Sequence, residues 1–328
     1  MPYGNFHNPV GLVGRMLLSR KRAAYAALLR AGLEIALTPV DYVLSKVNGR
    51  SKGRDTESNQ PLLFIVGPPR AGTTLIYQYV AASVDVSYAT NLSSLFPKSL
   101  INGNCSPVVS GKHLRSYFGQ TARLSDPNDA FHIWNRWFGD DRYRTKTELT
   151  DGEVDEMRML FDSWTMREGK PFLNKNNRNC HCLAMLADTL PNAYFIVVSR
   201  DATSIARSLI RARKSVQGDK SVGWGLLSQE QHAHEPLGYV RDVCEQVQNV
   251  QRLITEQSAS IAESRLIRVS YESFCENPNK FVDAITEKVD GVHRRELQMS
   301  ELPDSLRPSP ARPLSEAEED AIVEFLAA

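Results

Sequence analysis

The stretch FIVGPPRAGTTL, residues 64–75, constrains the fold of this chain more than any other. An apolar run over 62–66 meets Gly67, Gly72 follows, and 73–82 continues with helical spacing. A buried strand, a glycine-rich turn and a helix in that order open a crossover unit, and crossovers join parallel strands. Two later apolar runs, 194–198 and 266–269, read as further buried strands, with helical patterns over 152–167, 178–190, 203–213 and 239–257. Strands alternating with helices predict an α/β fold with a single parallel β-sheet flanked by helices. Near the end of the chain, Ser315 and Glu318 have the spacing of a capping box ahead of an apolar helix face.

The turn itself predicts an anion site. A helix N-terminus presents backbone N–H groups and the positive end of its dipole, and Gly67 and Gly72 let a ligand approach the backbone closely. Arg70 adds a cation, Pro68 and Pro69 stiffen the loop, and Thr73 and Thr74 add hydroxyls. In a triphosphate-binding loop of the form G-x-x-x-x-G-K-[ST], lysine follows the second glycine; here the residue is Thr73. The site therefore suits a 5′-phosphate better than a magnesium triphosphate, which argues against a P-loop nucleotide kinase. A second signal, YFIVVSRDATSIARSLIRARK (194–214), puts Arg200 and Asp201 at the carboxyl end of a strand, where open α/β sheets bind ligands, with Ser208 about two helical turns on. Arg200 and Ser208 are expected to clasp a second phosphate, and a helix cap is the plain alternative for the Arg-Asp pair.

The 328 residues carry a formal net charge of +1, so nothing global draws the chain to nucleic acid and anion binding must be local. Five scattered cysteines are an odd number and suggest reduced thiols; Cys180-His181-Cys182 has no second Cys/His pair at metal-binding spacing. Residues 1–60 form a separate segment ahead of a main domain over 61–328. Its RMLLSRKRAAYAALLRAGLEIALTPVDYVLSKV is basic and leucine-rich, with Arg30 and Glu34 breaking the apolar run, and 48–60 reads as a polar linker. The expectation is an amphipathic helix in a membrane interface on an otherwise cytoplasmic protein; packing on the domain, or on a second copy in a homodimer, is the equal alternative.

These motifs together resemble the sulfotransferases that use 3′-phosphoadenosine 5′-phosphosulfate (PAPS). Pro69-Arg70-Ala71-Gly72-Thr73-Thr74-Leu75 is similar to that family's 5′-phosphosulfate loop, and Arg200-Asp201 with Ser208 to its 3′-phosphate motif. IRVSYESFCENPNKFVDAI (267–285) brings Tyr271 to the position that often lies near the adenine, and LNKNNRN (173–179) brings Lys175 and Asn179 to the family's lysine motif. Ala202 and Asn177 stand where the family has proline, and SVDVSYATNLSSLFPKS (83–99) has no glutamate where many carbohydrate-acting members have their base. The resemblance implies a P-loop-like fold, PAPS as donor with adenosine 3′,5′-bisphosphate (PAP) as product, a carbohydrate, lipid or small-molecule hydroxyl as acceptor, Lys175 on the transferring group, and no metal. A non-catalytic nucleotide-binding scaffold would use the same fold.

The base must come from elsewhere, and SDPNDAFHIWNRWFGDD (125–141) is the candidate. Read as a helix, it puts His132 and Arg136 together with Asp129 one turn earlier, an imidazole held by a carboxylate in an apolar wall. Asp129 itself and His181 are the rival bases.

Overall fold

The computed structural model describes residues 6–48, 58–99, 114, 116–139, 146, 148–226, 232, 235–295, 302–308 and 313–327. Residues 49–57 of the expected linker, Cys105, and Asp140 and Asp141 lie outside them.

Four parallel strands form one sheet in the order β2-β1-β3-β4: β1 Leu62–Val66, β2 Phe172–Lys175, β3 Ala193–Ser199 and β4 Leu266–Ser270. Pairing Ile65 with Lys175, Val66 with Val197 and Ser199 with Ser270 brings the carboxyl ends of all four strands to one edge. β2 is an addition to the three strands read from sequence. It has only four residues, and its last two, Asn174 and Lys175, are polar yet buried, so no apolar run announces it.

Side-chain alternation splits the core between the two faces of the sheet. Leu63, Ile65, Ile196 and Val198 pack under α3 (Thr73–Ser83), α7 (Ala202–Val216), α8 (Gly238–Ser258), α9 (Tyr271–Glu276) and α10 (Pro278–Lys288). Leu62, Phe64, Val66 and Phe195 pack under α4 (Phe131–Phe138), α5 (Asp151–Glu168) and α6 (Leu183–Thr189). Phe64 centres that second core, with the rings of Trp134, Phe161 and Phe195 at 5.4, 5.7 and 6.0 Å. The helix expected over 178–190 is a 3₁₀ turn, Asn177–His181, followed by α6.

Two N-terminal helices, α1 (Pro9–Leu18) and α2 (Arg22–Asn48), pack one side against the domain. Met16, Ala23 and Ala24 meet Tyr117, Arg15 Nη2 donates to the Val216 carbonyl at 2.7 Å, and Asp41 accepts from Ser99 N at 2.9 Å. The packing alternative therefore holds for their inner faces.

The last helix, α11 (Glu316–Ala327), is fastened to α7 and α8 by its first turn. Glu318 is 2% exposed; it accepts from Lys220 Nζ at 2.6 Å, Tyr239 OH at 2.7 Å, and the Ser315 amide and hydroxyl at 3.0 and 2.8 Å. The last two bonds are the expected reach of Glu318 back to Ser315. Burial alone would raise the Glu318 carboxyl, but the Lys220 ammonium, the Ser315 amide and the Tyr239 hydroxyl outweigh it and hold the pKa at about 2. A carboxyl depressed by folding stabilises the fold above its ordinary pKa near 4.5 and loses that contribution as pH falls toward about 2. Glu318→Gln should therefore cost about 2 kcal/mol at neutral pH by leaving Lys220 without its partner. Urea midpoints should show a constant gap from wild type between pH 7 and 5, narrowing below about 4.5 as the carboxyl of the unfolded chain protonates while the folded one does not.

Candidate functional site

The loop from β1 to α3 turns through two residues of positive φ, Arg70 at 74° and Gly72 at 92°. Glycine is required at the second for a reason beyond φ. A Cβ there would sit 2.1 Å from Cδ2 of Tyr271, the first residue of α9, so the loop backbone lies flat on that ring. The amides that open α3 point from this turn and have no carbonyl a turn earlier to bond, leaving them for a ligand.

The other strand ends bring arginines to the same turn. Asp201 caps α7 by accepting from Ser204 N at 2.7 Å, so the cap explanation is right for the acid of the Arg-Asp pair and not for the arginine. Arg200 lies over the Tyr271 ring at 4.3 Å and donates to the Arg70 carbonyl at 3.0 Å. Arg70 turns onto α7, where Nε donates to Ser208 Oγ at 3.0 Å, and lies 5.2 Å from the Phe118 ring centroid. The two anion sites read separately from sequence thus form one chain, Ser208–Arg70–Arg200–Tyr271. Burial, then the charge of Arg200, then that of Arg211 pull the Arg70 guanidinium down to about 10, with only Tyr271 opposing. Among the described residues no carboxylate pairs Arg70; Glu272 stands 3.9 Å from Arg200. Arg70 stays charged at neutral pH, so like charges are held together in a partly dry setting. An anion would relieve them.

A cavity of about 1330 Å³ joins this cluster to the edge of β2. Lys175, 4% exposed, ends β2 and bonds Asp129 Oδ2 from Nζ at 2.8 Å. Its neighbours hold the wall. Asn174 Oδ1 accepts from Trp134 Nε1 at 2.8 Å, Asn176 Nδ2 donates to the Asp129 carbonyl at 2.8 Å, and Asn177 Nδ2 to the Gly67 carbonyl at 3.3 Å. Arg178 bonds Asn135 Oδ1 at 2.5 Å and the Gly139 carbonyl at 2.7 Å.

The expected pairing of Asp129 with His132 on one helix is not formed. Ala130 takes φ 54° and α4 begins at Phe131, so Asp129 lies outside the helix and faces Lys175. His132 lines the same cavity. Burial and then the Arg136 charge pull its imidazole down to about 4, with Asp41 opposing weakly, so the expected tuning near neutrality is not met. His181 is not among the cavity's lining residues, and burial lowers its pKa. Asn179 is fully buried outside the cavity, and neither its Oδ1 nor its Nδ2 has a hydrogen-bond partner.

Cys180 is enclosed against Gly67, accepting from its amide and donating to its carbonyl at 3.3 Å, which makes it part of the loop's support. Among the described residues, the one trio able to converge on a metal is His232, Asp242 and Glu245, away from this cavity, and Arg241 already pairs Glu245 at 3.0 Å.

Several cavity residues carry no motif. Phe118 packs edge-on to Trp224 at 6.1 Å beside the arginines, and both line the cavity. Arg20, Lys21, Arg22 and Arg30 reach it from α2 and the turn ahead of it. Their basic composition is visible in sequence, but their position here follows only from tertiary packing.

A sequence profile of the sulfotransferase family matches residues 61–291. No curated protein sequence matches the chain. Among solved structures, the chain is similar to sulfotransferase STF1 from Mycobacterium tuberculosis H37Rv, with a TM-score of 0.52 and 13% identity over 92% of this chain and 77% of that one. It is also similar to sulfotransferase STF9 from Mycobacterium avium, with a TM-score of 0.50 and 13% identity over 82% of this chain and 68% of that one. At that identity the likeness is one of fold.

The His132 environment yields a direct measurement. An imidazole harder to protonate folded than unfolded leaves stability intact above its ordinary pKa near 6.5 and draws the chain toward unfolding as pH falls below it toward about 4. Its ring resonances should titrate with a midpoint near 4, and His132→Gln should remove part of the stability loss between pH 6.5 and 4 in thermal melts.

Proposed function

The chain belongs to the sulfotransferase family, and from that membership we propose that it transfers a sulfuryl group from PAPS to an acceptor hydroxyl, releasing PAP. The observation that carries the donor is the buried cationic chain of Arg70 and Arg200 against the narrow cradle at Gly72. A nucleotide with phosphates at both the 5′ and 3′ positions supplies the two anions that this cluster and the α3 N-terminus call for. Phe118 and Trp224 offer flat apolar surface for a base nearby, with Tyr271 behind the loop. The donor supplies the activated sulfuryl group; the chain's work is binding, in-line placement and charge stabilisation.

In this reading the α3 amides, Thr73, Thr74 and Arg70 hold the 5′ side, and Arg200 with Ser208 the 3′-phosphate. Arg70 leaves Ser208 when the site fills. Lys175 stabilises charge that develops on the leaving oxygen and the transferring group, and Asp129 keeps its ammonium aimed into the cavity. Asp129 also takes the acceptor proton ahead of His132, because its carboxylate stands beside Lys175, whereas burial and the Arg136 charge make the His132 imidazole a weak base and it makes no hydrogen bond to either. The acceptor is a hydroxyl compound that enters between the α4 region and the α1–α2 turn.

Two measurements test this. PAP should raise the melting temperature well above the shift given by adenosine 5′-phosphate, and Arg200→Ala should erase most of the difference, since each charge-assisted hydrogen bond contributes roughly 1.5–3 kcal/mol. Equal shifts from the two nucleotides would remove the 3′-phosphate assignment. With labelled PAPS and an acceptor panel, Asp129→Asn should lower the transfer rate by about a hundredfold or more, in the range of lost general-base catalysis, with PAP affinity kept. His132→Gln should stay within about tenfold of wild type. The reverse order would return the role to His132, and bisphosphate binding with no transfer to any acceptor would leave a nucleotide-binding scaffold.

A further inference from the structure

The outer faces of α1 and α2 take no part in the domain's packing. On α2, Tyr25, Leu29, Leu33, Val40 and Val43 are all exposed, Leu29 by 67% and Val43 by 60%. Their spacings of 4, 8, 15 and 18 residues from Tyr25 confine them to a strip about 80° wide along nearly the whole helix. Val10, Val13 and Leu17 make a shorter exposed strip on α1 at i, i+3 and i+7.

The charges of α2 take the other side. Arg30 bonds Gln120, Asp41 bonds the amides of Lys98 and Ser99, and Glu34 lines the cavity. No acidic residue lies on the strip. At one end of it the turn between the helices exposes Arg20, Lys21 and Arg22, and at the other end Lys46 is exposed. By length and composition alone α2 could cross a bilayer. Its inner face is instead tied to the domain near Arg30 and again at Asp41, which keeps it alongside the domain.

We propose that the outer face of α1 and α2 docks in the plane of an anionic phospholipid bilayer. The apolar strip enters the acyl boundary, and Arg20, Lys21, Arg22 and Lys46 meet the headgroups. An uncharged strip bordered by cations, on a helix whose acidic groups all face inward, matches an interfacial helix on such a surface. A second copy of the chain would bring the same positive charge and lacks that complement. Because Arg20, Lys21 and Arg22 also line the cavity, docking sets its mouth against the headgroup layer. The proposal does not rest on the sulfuryl-transfer reading.

The test is co-flotation of the full chain with vesicles of phosphatidylcholine, with and without phosphatidylglycerol. Wild type should float with the anionic vesicles, at least about tenfold less with neutral ones, and less at about 0.5 M salt. Leu29→Gln, Val40→Gln and Val43→Gln combined should lose about tenfold or more of the binding while keeping the wild-type melting curve. Met159→Gln, at an exposed apolar position on α5, should change nothing. Wild type that fails to float, or a triple variant that floats as wild type does, overturns the proposal. A wild-type dimer that the triple variant turns to monomer, with no flotation of either, assigns the strip to a second copy. These outcomes are independent of whether PAP binds.

Discussion

The contact between the Gly72 backbone and the Tyr271 ring is what the site depends on. It fastens the loop after β1 to the start of α9 after β4, two strands away in the sheet, and it exists because residue 72 has no Cβ. Arg200 also lies over that ring and holds the Arg70 carbonyl, so one aromatic side chain sets both the loop and the arginine at the end of β3. A larger side chain at 72 would disturb three strand ends together. The cost of this arrangement is electrostatic. Guanidinium groups are packed where water is scarce, and the fold tolerates them because the Arg70 carbonyl and the Ser208 hydroxyl accept from them and the Tyr271 ring lies against Arg200. Such a cluster is stable enough to fold and under-neutralised enough to bind, which is the condition of a preorganised anion site.

Much of this was legible in the chain, for identifiable reasons. Gly67, Gly72 and the two threonines mark a strand–turn–helix because few other structures need that pattern, and the apolar runs of β1, β3 and β4 are long enough to be seen. β2 is too short an apolar run to see because two of its four buried positions are polar: Asn174 and Lys175 are satisfied by Trp134 and Asp129, which are distant in sequence. The start of α4 was misread because a left-handed Ala130 stops the helix one residue short of Asp129, and alanine carries no signal for that conformation. Helical periodicity gave Asp129 to His132; the sheet edge gives it to Lys175. Phe118 and Trp224 reach the cavity through contacts between segments that no local pattern encodes.

The N-terminal helices show the same limit from the other side. Composition made them basic and apolar, and both a membrane face and a packed face were consistent with it. The structure shows a packed face and an exposed apolar face, divided around the helix: Arg30, Glu34 and Asp41 inward, the leucine and valine strip outward. An amphipathic helix ordinarily turns its apolar face to the core and its charges to water. α2 does the reverse for much of its length, and that inversion is not accounted for by packing on this domain.

The inversion bears on the chemistry as well. A transfer from an activated donor must exclude water from the reacting group, or the group is lost to hydrolysis. The cavity is closed by the domain at Lys175, Asp129 and the arginines, but toward α1 and α2 its wall is a turn of exposed cations. A surface that covered this turn would neutralise those cations and shield the mouth in one event. The helices that complete the wall are the ones with an exposed apolar face, so a surface that took up that face would reach this turn as well.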